Sequence, residues 1–311
     1  MDLFMKHACR RLTSLFFHFA TSLGLLFAGT FSSFLGAEPS EAEVEVDLHG
    51  LTVAARPLAA GAGQMSRSST GVDLSVPLAG TPQLGVGLDL GYEIDRFHFS
   101  DFSSFLSGDA SPLSRAFDFY LQPSFLVTPS ERWTFVISPQ IEYSGAEHTR
   151  LKDARLWSGS VGVFYQSIAG FKLGLGLNLA EQMNGSPLVL PFPIIDWELN
   201  DHWKLSALDG ESGRLAYRAS ARFSLYGEVR FKSRDIRLAT HSSIPSGILR
   251  TEEYPTFLGF EYRFFQHALI RAALGKAWAQ TIRFEDHGGR LLRRSDSRAP
   301  GVGTLQAELT F

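Results

Sequence analysis

Charged side chains recur in this sequence inside apolar stretches, at the every-second-residue spacing of one wet face on a sheet. Asp89, Glu93, Asp118, Glu142, Lys172, Glu228, Arg230, Glu261, Arg263, Arg271 and Glu308 all sit this way, nearly all between apolar neighbours. Mixed signs on one face can line a water-filled channel that selects weakly by charge. They can equally pair into a plug of side chains. A second set, Arg290, Arg293, Arg294 and Arg298, follows Arg283 in a polar segment that also holds Glu285, Asp286 and Asp296. Forked guanidinium groups suit phosphate, so this set is a candidate anion site, and a solvated charged loop accounts for it as well.

Catalytic chemistry finds no such support. The histidines after the leader, His49, His98, His148, His202, His241, His267 and His287, contain no i, i+2 or i, i+4 pair, so the spacing of metal ligands is missing. There is no Gly-x-Ser-x-Gly. Met183-Asn184-Gly185-Ser186 lacks the His and Ser of the His-x-Ser-Asn-Gly-like motif of outer-membrane phospholipases. Its Asn-Gly-Ser formally matches a glycosylation acceptor. Gly85-Val86-Gly87-Leu88-Asp89-Leu90-Gly91 misses the dinucleotide spacing, and the lumen-side glycines fit strand curvature better than phosphate binding. The chain is read as a non-enzyme without cofactor or metal. A net charge of −3 gives no basic excess, which argues against nucleic acid.

The elements that must position these residues begin after an address. Lys6, Arg10 and Arg11 precede an uncharged run, Leu12–Leu35, that closes on Gly36-Ala37. Charge, apolar run and small-residue exit make a secretory signal over 1–37, leaving 38–311 as one domain; a retained anchor is the alternative, because the run is long. Cleavage would remove Cys9, the single cysteine, and shift the net charge from −3 to −5.

Beyond Ala37 the longest uncharged stretch, 156–171, contains three glycines and falls short of the roughly 18 apolar residues of a membrane helix. Period two dominates instead. Leu84, Val86, Leu88, Leu90, Tyr92 and Ile94 alternate with Gly85, Gly87, Asp89, Gly91 and Glu93, and five further stretches repeat the pattern. Fourteen strands are expected at 43–54, 71–78, 83–96, 115–127, 132–144, 155–166, 171–180, 187–199, 203–208, 214–219, 222–232, 252–264, 268–280 and 301–311. Twelve remain if 203–208 and 214–219 form a loop excursion, a region beside Pro191 and Pro193, which cannot donate ladder hydrogen bonds. Many of these strands exceed the usual 5–6 residues and reach the 9–11 that cross a hydrocarbon core. Short turns alternate with long polar connections, among them 56–70, 101–114, 233–250 and 284–300, as in barrels with tight turns on one side and long loops on the other. Aromatic residues gather at both ends: Trp133, Tyr165, Phe171, Trp203, Phe264, Phe265 and Phe311 near turns, Tyr92, Tyr143, Trp157, Tyr254 and Trp278 towards loops. A secreted β-sandwich is the soluble alternative.

The chain ends with Leu305, Ala307, Leu309 and Phe311 on one face and an aromatic last residue. This resembles the C-terminal assembly signal of Gram-negative outer-membrane β-barrel proteins. The stretch Phe192–Leu205 with Trp197, Asp201 and Trp203, then Tyr217, is also similar to an uncharacterised outer-membrane barrel family of unknown function. The resemblance implies a single all-β, up-and-down antiparallel transmembrane barrel in the outer membrane of a Gram-negative bacterium. The partners it implies are outer-membrane lipid, lipopolysaccharide and the barrel-assembly machinery. A barrel of this size is expected to be a passive channel or uptake pore for small solutes, or a non-conducting barrel that binds lipopolysaccharide or a protein.

Overall fold

The computed structural model describes residues 43–58, 63–100, 112–167, 171–208, 210–298 and 300–311. The leader expected over 1–37 and most of the connection 101–114 lie outside them. Glu43–Phe311 form one compact unit.

Alternating side chains and tight turns produce a meander of antiparallel strands. They are β1 (Glu45–Pro57), β2 (Gln64–Gly80), β3 (Leu84–Ser100), β4 (Arg115–Ser130), β5 (Trp133–Ala146), β6 (Arg155–Gln166), β7 (Lys172–Ala180) and β8 (Leu188–Glu198). Then follow β9 (Trp203–Ala207), β10 (Ser212–Arg218), β11 (Phe223–Arg230), β12 (Lys232–Arg237), β13 (Ile248–Phe265), β14 (Ala268–Glu285), β15 (Leu291–Arg298) and β16 (Gly301–Thr310). The first strand pairs with the last, from Glu45↔Thr310 to Val53↔Val302. That ladder closes a fourteen-strand wall from β1–β11, β13, β14 and β16, and closure removes the unpaired edges a sheet would otherwise expose. No helix among the described residues is long and apolar enough to cross a membrane.

The apolar faces point out. Leu175, Leu258 and Leu274 keep 70%, 75% and 76% of their surface, while Glu228 on the opposite face keeps 5%. This excludes the sandwich, in which those leucines would be covered. A continuous apolar exterior is stable only against hydrocarbon, and a spanning sheet must close because lipid offers its backbone no partners. The fold is a transmembrane β-barrel. Ring pairs mark the turn end, Trp133–Tyr165 and Phe171–Trp197 at 5.3 Å and Trp203–Tyr217 at 4.9 Å. Trp157, Tyr254 and Trp278 stand exposed towards the loop end. From Trp133 to Tyr143 along β5 is ten residues. At about 3.4 Å each and about 40° of tilt this spans about 26 Å, close to the ~25 Å apolar band of such barrels.

The 203–208 and 214–219 pair belongs to the wall as β9 and β10, which settles the count at fourteen. Pro191 and Pro193 are tolerated because β9 pairs with β8 only over Ile195–Glu198. At the height of the prolines β8 has no ladder partner on that side among the described residues, an edge position where a missing N–H is harmless.

Three expected loops prove partly stranded. Segment 56–70 holds the end of β1 and the start of β2, 233–250 holds nearly all of β12 and the start of β13, and 284–300 holds β15. None of these pieces has a lipid face, so none shows apolar alternation. β12 continues β11 along β13 in the same register, Val229↔Thr256 leading to Lys232↔Glu253. It leaves the wall, crosses the mouth and meets β5 at Arg237↔Gly145. With the loop-end half of β13 it forms a tongue. Its inner face packs on the interior of β2–β5 through Ile236 and Leu249 against Met65, Phe97, Ala116 and Ala146, with Ile282 of β14 in the same cluster, all nearly without exposure. The largest dry core of this barrel therefore lies in its mouth.

Candidate functional site

Below the tongue the inward faces carry charge. A ladder of ion pairs runs across the wall: Glu308–Arg271 and Arg271–Glu261 at 2.9 Å, Glu261–Arg214 at 4.0 Å, Arg214–Glu228 at 3.1 Å, then Glu228–Arg230. The charged face continues onto the strands next to Glu308, where His49 of β1 meets Asp73 of β2 at 3.1 Å and Glu93 of β3 at 3.4 Å. The Tyr120 hydroxyl donates to Asp73 at 2.9 Å. It reaches past Gly91, where any Cβ would collide with the Tyr120 ring; this glycine serves close approach. Asp89 shares a face with Glu93, and Gln140 donates to Glu142. Lys172 is registered against Asp196, which Lys204 pairs at 2.8 Å. Arg263 stands at the turn-side rim with His267 and Glu308 around a polar cavity of about 190 Å³.

Water reaches far up this lumen and then stops. The Lys232 side chain keeps 38% of its exposure and Glu93 14%, whereas Arg234 keeps 3% and Asp95 none. The stopping point is a buried charge layer. Arg234, from β12, meets Glu93 at 2.8 Å, Asp118 at 2.7 Å and Asp95, and its Nε donates to Ser144 at 3.2 Å. Arg67 of β2 donates to Glu253 of β13 at 3.0 Å and lies 3.8 Å from Asp95. Gln280 donates to Glu253 and Ser69 to Asp95. The side-chain partners of Arg234 sit on β3, β4 and β5, so it fastens the tongue to the opposite wall, with the Lys232–Glu93 and Arg67–Glu253 pairs beside it. Above lies the apolar layer of the mouth.

The tongue's other face is held too. Arg250 grips Asp235 with two donors at 2.6 and 2.9 Å, reaches Glu285 at 3.6 Å and donates to the Met183 carbonyl at 3.1 Å. The Met183 N–H donates back to Asp235 at 2.8 Å, which seats the β7–β8 loop on the tongue. Leu156, Met183 and Ile248 pack together there. The β9–β10 loop also turns inward: a Cβ on Gly210 would lie 2.6 Å from the Phe192 ring, and its φ of +76° favours glycine in any case.

Of the residues singled out in the sequence, Glu93 and Asp118 enter the buried layer, and Glu228, Arg230, Glu261 and Arg271 form most of the ladder. Asp89, Glu142 and Lys172 lie on the lumen wall and Arg263 at the rim. Arg290, 80% exposed, pairs with Asp286 at 3.1 Å, and Arg294 pairs with Asp296 at 3.1 Å. Arg293 and Arg294 are neighbours on β15 and face opposite ways, and Arg298 ends that strand. The backbone N–H groups of Arg290 and Gly288 hold the Asp286 carboxyl below the usual carboxylate range. His49, Arg56, Arg67, Arg234, Asp235, Arg250, Glu253 and Gln280 are additions from the structure. Their one sequence signal is charge at i, i+2 in Lys232-Ser233-Arg234, which is unreadable without knowing that this piece is a strand. No group of His, Cys, Asp and Glu among the described residues is arranged to hold a metal ion.

Residues 127–295, more than half of the chain, match the model of a family described as a domain of unknown function (DUF6268). No curated protein matches. Among solved structures, an outer-membrane channel from Pseudomonas putida F1 is similar at 11% identity and a TM-score of 0.48, over 88% of this chain and 97% of that one. The Pseudomonas putida toluene transporter TodX follows at 12% and 0.43, over 87% and 89%. The NanC porin stands at 10% and 0.40, over 85% and 98%.

Proposed function

We propose that this chain, which belongs to the DUF6268 family of unknown function, is a gated channel of the Gram-negative outer membrane that passes small solutes when its tongue withdraws. The observation that carries this reading is the abrupt end of the wet, charged lumen at Arg234. A barrel serving only as a scaffold has no need of a polar column open to water from the turn side. The apolar exterior with aromatic residues at both ends supports the membrane setting. Asp89, Glu93, Asp118, Glu142, Lys172, Glu228, Arg230, Glu261 and Arg271 are assigned to the lumen, with Arg263 at its entrance. Leu305, Ala307, Leu309 and Phe311, on the outward face of β16, are assigned to recognition by the assembly machinery after export on the 1–37 leader. Arg290, Arg293, Arg294 and Arg298, beyond the loop-end aromatics, are assigned to lipopolysaccharide phosphates.

A second reading, a non-conducting barrel that binds a partner at its loop end, is favoured by the same dry core in the mouth. Planar-bilayer recording separates the two. The refolded chain should show rare stepwise openings. A variant with Lys232–Glu253 replaced by a short Gly/Ser turn keeps part of every wall strand and should stay open. Silence from that variant, with the heat-shifted gel mobility of a folded barrel, would leave the second reading.

A further inference from the structure

β1 carries a bulge between Val53 and Arg56, where its register on β2 shifts from Val53↔Arg67 to Arg56↔Met65. Strict alternation from the inward Val53 would point Arg56 at lipid; the extra residue turns it inward instead. Arg56 is 1% exposed, and its Nε and both terminal nitrogens are buried without a hydrogen-bond partner. Glu253 lies within electrostatic reach without contact, and so does Arg67, one strand away. The Arg67 Nε makes no hydrogen bond, though Asp95 lies 3.8 Å from it, and one terminal nitrogen of Arg234 makes none either. The layer holds three guanidinium groups, Arg56, Arg67 and Arg234, and four carboxylates, Glu93, Asp95, Asp118 and Glu253, of which Arg234 takes three and Arg67 the fourth. Glu253 is already taken by Arg67 and Gln280. Arg56 alone of the three makes no ion pair or hydrogen bond among the described residues, an arrangement proteins avoid because an unpaired buried ion is far more costly than a paired one.

We propose that Arg56 and Arg67 form a subsite for the oxyanion of a small acidic solute, a carboxylate or phosphate, and that filling it favours withdrawal of the tongue. The inference rests on the gated-channel reading and names its solute class. With the tongue seated the Arg56 nitrogens are closed to solvent and Arg67 is held by Glu253 of the tongue, so an oxyanion takes up both guanidinium groups only as the tongue moves aside. The planar fork of each guanidinium then offers two parallel donors to one carboxylate or phosphate. A ligand that binds one of two states shifts the population towards it by its differential affinity. Neutral solutes lack that leverage.

The test uses the full chain refolded in lipopolysaccharide-free detergent, with succinate or inorganic phosphate compared with chloride at equal ionic strength. Open probability in planar bilayers should rise about tenfold with either oxyanion. Arg56→Gln should abolish the response, and Arg56→Lys should keep part of it. Calorimetric titration with succinate reads the subsite without conduction. Arg56→Met, which removes the unpaired charge, should raise the melting temperature by about 2–4 °C. Openings that are indifferent to succinate and phosphate overturn the subsite and leave the channel standing. Silent bilayers with succinate binding lost in Arg56→Gln overturn the channel and leave the subsite. A lower melting temperature for Arg56→Met, or a response to lipopolysaccharide alone, overturns the subsite as well.

Discussion

Arg234→Ala should convert a mostly shut barrel into a mostly open one without unfolding it. The guanidinium holds Glu93, Asp95 and Asp118 at once. After truncation Glu93 keeps Lys232 and His49, and Asp95 keeps Ser69 and the more distant Arg67. Asp118 loses the one ion pair it makes among the described residues. Removing one member of a buried ion pair costs about 3–5 kcal/mol, because the other is left charged and dry. That cost falls on the contact between tongue and wall, since the fourteen-strand ladder does not involve the Arg234 side chain. When the tongue withdraws the carboxylates regain water, so the penalty applies to the shut state alone. At about 1.4 kcal/mol per factor of ten, the ratio of open to shut should rise by about two to three and a half orders of magnitude. Single-channel recording reads this as open probability, and the heat-dependent gel shift confirms that the barrel is intact. Adding Asp118→Asn to Arg234→Ala should recover part of the effect, because it removes the orphaned charge, and the two changes should be strongly non-additive. An intact Arg234→Ala barrel that opens no more often than the parent would refute the assignment of Arg234 as the fastening.

Ile236→Ala, at a position with no exposure in the apolar layer, should cost about 2–5 kcal/mol of tongue docking and raise open probability while conductance per step stays unchanged. Leu258→Arg, on the outer wall, should destabilise the barrel in lipid by about 2–4 kcal/mol by urea titration; a change within about 0.5 kcal/mol, as for an ordinary surface site, would mean that this face does not meet hydrocarbon. The Asp286 carboxyl, held low by the Arg290 and Gly288 N–H groups, supports the β14–β15 turn above the ordinary Asp pKa of about 3.9 and loses that role only as pH falls below it. Pepsin cleavage at Leu291–Leu292 should therefore set in at lower pH for the parent than for Asp286→Asn.

Two kinds of residue account for what a linear reading can reach. Where one face of a strand meets lipid and the other meets water, the two solvents impose opposite composition on alternate positions, so β6 falls where its alternation predicts, at 155–166. The same asymmetry assigns Leu175, Leu258 and Leu274 to the exterior and Glu228, Glu261 and Arg271 to the lumen. It also exposes the aromatic ends, and with the long-and-short rhythm of connections it implies an even-stranded barrel. Lys232–Arg237 and Leu291–Arg298 escape because neither has a lipid face, and a strand with polar groups on both sides reads as a loop. The closure of the mouth escapes for a different reason. Arg234 and Asp95 are 139 positions apart, and Arg67 and Glu253 are 186 apart, so no local pattern links them. Arg56 is the sharpest case: its inward direction comes from one extra residue in β1, which the partner strand accommodates. Local alternation between two solvents therefore settles the wall, whereas the seal depends on where the closed sheet carries distant charges, and folding alone determines that.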